Sequence, residues 1–170
     1  MLKAVSTILI AAGFTLGGRF FASYQARRAE MLRRIVLMIT VIETQLRYAC
    51  LPVADLLRVL GENPAFSELG FIRCTREKMC FGEPFPDAWR ESVEAESDIG
   101  RLLSGSVHYL AALGAEIGST DLEGQLSCCE YYKNIFTAEQ EIQAEKSRKY
   151  SKLFPSLGLM LGISAAIIIV

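Results

Sequence analysis

The two ends of this chain constrain it most. From Ala4 to Gly18 there is no charged residue, and Phe20, Phe21 and Ala22 carry the apolar run past Arg19. At the other end, Leu153 to Val170 is 18 residues without a charge. At 1.5 Å per residue the second run spans ~27 Å, enough for a hydrocarbon core. The first uncharged stretch reaches ~23 Å and spans if Arg19 snorkels with the phenylalanines at the interface. A transmembrane helix is therefore expected over 1–22 and another over 153–170. A cleaved signal peptide is the competing reading of the first run. Such a peptide places its positive charge before the apolar stretch, whereas here only Lys3 precedes it and Arg19, Arg27, Arg28, Arg33 and Arg34 follow. A buried core helix is the competing reading of the last run, but that run is apolar on every face.

The flanking charges set an orientation. Five arginines follow the first run, and Lys146, Arg148, Lys149 and Lys152 precede the second. Positive flanks stay in the cytoplasm, which places Tyr24 to Lys152 inside the cell and both termini outside. The five cysteines form no C-x-x-C and are odd in number, so small buried thiols in a reducing compartment are expected. Each span also carries G-x-x-x-G, at Gly13/Gly17 and Gly158/Gly162, the spacing that lets helices approach closely in lipid. Pairing of the two spans, self-association and plain tolerance of glycine in membrane helices all fit that spacing.

Between the spans, residues 23–152 read as an all-α cytoplasmic bundle of about six helices with basic necks. Leu32, Ile35, Ile39, Ile42 and Leu46 recur at alternating steps of three and four, one buried helical face. Leu51-Pro52 ends that helix, and Pro52 suits the first turn of the next, Val53 to Leu60. Asn63-Pro64 opens a helix from Ala65 to about Met79. Asp87 to Glu96 forms a short helix with Trp89 and Val93 on its apolar side. Ile99 to Gly114 forms another, ended by Gly114 or Gly118. Thr120-x-x-Glu123 has the spacing of a capping box and starts a long helix with Leu122, Leu126, Cys129, Tyr132 and Phe136 as its buried stripe. Gln143 to Lys152 reads as an exposed neck. If the first and last helices run antiparallel, Arg33/Arg34 stand level with Glu139/Glu141.

The pattern is poor in reactive chemistry. The single histidine, His108, lies between Val107 and Tyr109 and reads as packed; no second ligand stands at metal spacing on its helix. No G-x-x-x-x-G-K-[ST] is present, so no P-loop nucleotide site is expected. Vicinal Cys128-Cys129 reads as buried packing, with redox sensing as the alternative. No catalytic residue, cofactor or metal site is assigned, and the chain is expected not to be an enzyme.

Charge is segregated along the chain. Ile35 to Glu145 holds 8 Lys/Arg against 18 Asp/Glu, although the net charge of the whole chain is −1. An acidic head excludes nucleic acid as a partner and suits a basic protein surface, while basic necks suit anionic lipid. Glu83, Asp87, Glu91, Glu94, Glu96 and Asp98 are the densest acidic cluster and the candidate partner surface; a solvated helix face is the plainer reading.

Three segments resemble a known family. Glu43-Thr44-Gln45-Leu46-Arg47-Tyr48 followed by Pro52 resembles the E-T-x-apolar-x-Y…P stretch of stage III sporulation protein AB. Pro86-Asp87-Ala88-Trp89 is similar to its A-W segment. Leu113 to Gln125 resembles its L-G-x-x-apolar-G-x-S/T-D-x-x-x-Q, which marks Gly114, Gly118, Asp121 and Gln125. A single span at each end matches its layout. The chain departs from the familiar form at Leu51 and at Gly124, where a polar residue is common. The resemblance implies a fold like the cytoplasmic helical domain of the platform proteins of type II secretion and type IV pilus machines. It implies a place in an assembly between mother cell and forespore of endospore-forming bacteria, in the mother-cell membrane. It also implies a scaffold role, docking a secretion-type ATPase, stage III sporulation protein AA, to other membrane components. A homo-oligomer fits such a platform. The rival readings are a generic membrane-anchored adaptor or sensor and, behind it, a membrane-bound enzyme.

Overall fold

A computed structural model of the chain describes the backbone of residues 2–49 and 51–169 and the side chains of residues 20–49 and 51–149. Among the described residues seven α-helices follow one another: α1 Leu2–Ala49, α2 Val53–Glu62, α3 Gly70–Cys80, α4 Phe85–Ala95, α5 Ser97–Leu102, α6 Val107–Glu116 and α7 Leu122–Ile169. A 3-10 turn, Pro64–Phe66, lies between α2 and α3, and there is no strand among the described residues. The chain is all-helical, as its periodicities require.

The residues form two compact units, one of Met31–Glu139 and one of Met1–Glu30 with Gln140–Val170. The larger unit holds the main core. Leu32, Ile35, Ile39 and Ile42 of α1 are fully buried, as the three-four spacing predicts, and meet a core that includes Leu56, Leu60, Trp89, Leu113, Cys129 and Phe136. Burying one such side chain contributes ~1.5–3 kcal/mol, whereas an exposed ion pair contributes ~0–1 kcal/mol. Packing therefore holds this unit, and the many surface ion pairs adjust it.

Two expected helices are broken. The helix expected from Ala65 begins instead as the 3-10 turn, with the Asn63 side chain accepting from Ala65 N at 3.0 Å, and α3 starts only at Gly70. The reason lies far along the chain. Glu96 accepts hydrogen bonds from Gly70 N at 3.1 Å and from Phe71 N, capping α3 from outside. The helix expected over Ile99–Gly114 is two helices, α5 and α6, separated at Leu103–Ser106. Ser106 Oγ donates to Glu139 on α7, and Tyr132 Oη donates to Glu116 at the other end of α6 at 3.4 Å. Two side chains thus fix α6 antiparallel to α7.

Smaller expectations also shift. Leu122 is exposed and the buried stripe of α7 begins further on, at Cys128 and Cys129. His108 is exposed, its ring 3.9 Å from that of Tyr109. Arg34 reaches Glu68 at 3.1 Å, a partner that no helix register suggests.

In the smaller unit, Gln143 is buried rather than part of an exposed neck, and its amide donates to the Gln25 side chain. Phe20 is 77 % exposed and Phe21 40 %. Among the described residues no helix is long and apolar enough to cross a membrane, so the flanking transmembrane helices expected at 1–22 and 153–170 find no support there. Residues 1–19 and 150–170, which hold almost all of both, lie outside the described side chains, as do Gly13, Gly17, Gly158 and Gly162.

Candidate functional site: the acidic helix and its supports

The region that the acidic cluster picks out is α4 and its neighbours. Its support is an aromatic pin. Trp89 points inward from α4, donates through Nε1 to Leu110 O at 2.8 Å and meets Phe71 edge-on with ring centroids 5.0 Å apart. A Cβ at Gly114 would fall 2.1 Å from Trp89 Cδ1, so α6 approaches the indole only because residue 114 has no side chain. The motif residues Trp89 and Gly114 thus form one contact.

The opposite face of α4 carries the charge, and the six cluster carboxylates have different roles. Glu91 pairs with Lys78 of α3, and that contact holds its carboxyl below the ordinary range. Glu83 stands 3.7 Å from the same lysine. Asp87 binds Arg90 at 2.7 Å and Asp98 binds Arg101 at 2.6 Å, each a local pair on one helix. Glu96 is the cap of α3. Burial pushes its carboxyl upward, against the downward pull of the two backbone N–H groups. Both of its oxygens are therefore engaged in a structural cap. Glu94 is exposed and, among the described residues, makes no ion pair.

The remaining motif positions form two further supports. Glu43 on α1 accepts from Lys133 on α7 and from Arg47 at 3.0 Å. The Lys133 bond, set against partial burial, holds the Glu43 carboxyl below its ordinary value. Asp121, Gln125 and Gly118 build the turn into α7. Asp121 Oδ1 accepts from Gly124 N at 3.0 Å, and the Gln125 amide donates back to Thr120 O at 2.8 Å. Asp121, one residue past Thr120, is the N-cap, and Gly124 at the third helical position has no side chain to complete the capping box read at Thr120 and Glu123. Gly118 takes φ +79°, a left-handed conformation natural to glycine after a helix end. Pro52 directly precedes α2 and its carbonyl accepts from Leu56 N at 3.0 Å. Tyr48 is 81 % exposed and supports no packing of the head.

Cys128 and Cys129 are buried, and burial pushes their thiols up to about 12 and about 11. They are packing groups with no thiolate at neutral pH. Cys80 is exposed. Among the described residues no three of His, Cys, Asp and Glu come together as metal ligands.

Sequence reasoning missed the cap by Glu96, because 25 and 26 residues separate the partners. It missed Lys133 as the partner of Glu43, for which the lone positive charge between Leu122 and Lys146 was the available signal.

No curated protein and no solved structure matches the chain. The family description stage III sporulation protein AB matches over residues 3–170, which includes all three motif segments and both apolar ends. The chain therefore belongs to the stage III sporulation protein AB family, whose role is in sporulation.

Proposed function

We propose that this protein is a membrane-anchored platform of a sporulation channel assembly, and that its helical head docks a cytoplasmic secretion-type ATPase. The two apolar ends serve as the anchors, with residues 23–152 on the cytoplasmic side and both termini outside. The protein acts as a scaffold and does not catalyse a reaction.

The observation that carries the docking part is the outward face of α4. Asp87, Glu91 and Glu94 stand on a helix whose inner face is fixed by Trp89, so the charges are presented on a rigid support. A basic surface on a motor protein would meet them with complementary potential and faster encounter. Asp87 and Glu91 already hold intramolecular partners, which leaves Glu94 as the most available carboxylate.

Co-purification of the full chain, in detergent-solubilised membrane, with the secretion-type ATPase tests this reading. Glu94→Lys is expected to weaken capture by roughly tenfold, at about 1.4 kcal/mol per decade. Unchanged capture by a variant with wild-type thermal stability assigns the contact elsewhere. Failure of the wild-type chain to capture the ATPase at all removes the docking role.

A further inference from the structure

One run of α1 is uncharged on both of its sides. Ile35 to Ile42 holds no charged residue. Ile35, Met38, Ile39 and Ile42 fill the core, while Leu37 and Thr40 are exposed and Val36 and Val41 half-buried. A helix that is apolar all round is one that is covered all round. Further along the same face Thr44 is exposed and Tyr48 is 81 % exposed. The two threonines do not make this face polar. Thr40 Oγ1 donates to Val36 O and Thr44 Oγ1 to Thr40 O, each at 2.8 Å. Both hydroxyls are spent on their own helix, and the methyl groups are left for contact.

Leu37, Val41, Thr44 and Tyr48 follow one another at steps of four, three and four, a stripe ~16 Å long. That is the spacing by which one helix lies along another. The chemistry of the stripe selects the occupant. Thr40 and Gln45 flank it without charge, Arg47 is held by Glu43 at 3.0 Å and Arg34 by Glu68 at 3.1 Å. A partner recognised by charge therefore has little to read. Two copies of the chain do fit. Ile35 to Glu145 holds 8 Lys/Arg against 18 Asp/Glu, so copies that approach by their acidic faces repel. A two-fold pair sets each residue against itself, which requires a stripe without charge of either sign. Leucine at the position of Leu37, with β-branched valine following at Val41, is the combination that favours two strands.

We propose that the outer stripe of α1 packs, parallel and in register, against the same stripe of a second copy of this chain. Leu37, Val41, Thr44 and Tyr48 of one copy each meet their own counterpart in the other. The exposed motif residues Thr44 and Tyr48 thereby acquire a contact that the single head does not give them. The pairing uses a different surface and a different partner from the docking role of α4. Its parallel direction rests on the anchors proposed above, which hold both copies the same way up in one membrane. Three helical turns bury less than the ~1,200 Å² of a stable interface, so the pairing depends on the copies being confined together.

Cross-linking of the full chain in its native membrane tests it. The background carries Cys50→Ser, Cys74→Ser and Cys80→Ser, and Cys128 and Cys129 are buried. A short bis-maleimide should join two copies of the Thr44→Cys chain into a product of twice the chain mass. Ser127→Cys, at an exposed position on α7, should give little. Adding Leu37→Glu to the Thr44→Cys chain sets two carboxylates face to face and should lower the yield about tenfold, as should Leu37→Lys. Two differently tagged chains, one with Leu37→Glu and one with Leu37→Lys, should recover the product as a mixed pair. That recovery also shows that both variants fold. Asp87, Glu91 and Glu94 are untouched, so loss of pairing and loss of ATPase capture are read separately. Absence of the Thr44→Cys product overturns the proposal, as does an equal yield from Ser127→Cys or a yield that Leu37→Glu leaves unchanged. A mixed pair that recovers nothing overturns the parallel register, since an antiparallel pair sets residue 37 against residue 48. A product joining Thr44→Cys to a different protein overturns self-pairing.

Discussion

Gly114 and Trp89 occupy one space: a methyl group on residue 114 would come within 2.1 Å of the indole Cδ1. The contact is inside the core, where Trp89 is 1 % exposed and also donates to Leu110 O. Neither ring nor backbone has room to withdraw. Gly114→Ala is therefore expected to cost ~3 kcal/mol of unfolding free energy, at the upper end of overpacking effects. Denaturant unfolding of Gly114→Ala, Trp89→Ala and the double variant checks this. The two substitutions should combine less than additively, because removing the ring removes the atoms that the new methyl would strike.

Glu96 ties the end of α4 to the start of α3 through two backbone N–H groups. Glu96→Ala leaves both donors without that carboxylate and is expected to cost about 1–3 kcal/mol. Hydrogen exchange locates the effect: protection should fall first at Gly70 and Phe71, with α6 little changed. A uniform loss across the head would contradict the cap.

The Glu43 pair gives a pH signature. Its native carboxyl lies below the ordinary 4.5, mainly through the Lys133 bond. A depressed carboxyl contributes stability that is fully present above its unfolded value and is lost as pH falls through the native value. Thermal melts of wild type and Glu43→Gln should differ at pH 6 and converge as the pH is taken well below 4. A gap independent of pH would show that the carboxylate charge is not what Lys133 reads.

Ser92 is 2 % exposed and its hydroxyl has no hydrogen-bond partner among the described residues. Removing an unsatisfied buried hydroxyl leaves nothing unpaired behind. Ser92→Ala should be neutral or raise the melting temperature, which differential scanning calorimetry reads directly.

The sequence carried some of these relationships and hid others for physical reasons. The α1 stripe was legible because helix periodicity is local: Leu32, Ile35, Ile39 and Ile42 announce one face and are buried on it. The turn at Gly118 was legible because glycine after a helix end has few other uses. The break between α5 and α6 was not, since Leu102, Leu103, Val107 and Leu110 continue a helical pattern through it. That break is stabilised by Ser106 reaching Glu139 on α7, 33 residues away. The acidic cluster was visible as composition, but the identity of its structural member was not. Nothing local distinguishes Glu96 from Glu94; only the position of α3 makes one a cap and leaves the other exposed.

The central claim is a head held at the membrane and facing the cell interior, and Cys80 measures it most directly. It is the exposed thiol of the head, whereas Cys128 and Cys129 are buried with thiols raised to about 12 and about 11. In the full chain with Cys50→Ser and Cys74→Ser, a membrane-impermeant maleimide should leave Cys80 unmodified in intact cells and modify it after permeabilisation. Modification of Cys80 in intact cells, or recovery of the chain in the soluble fraction, would contradict the account.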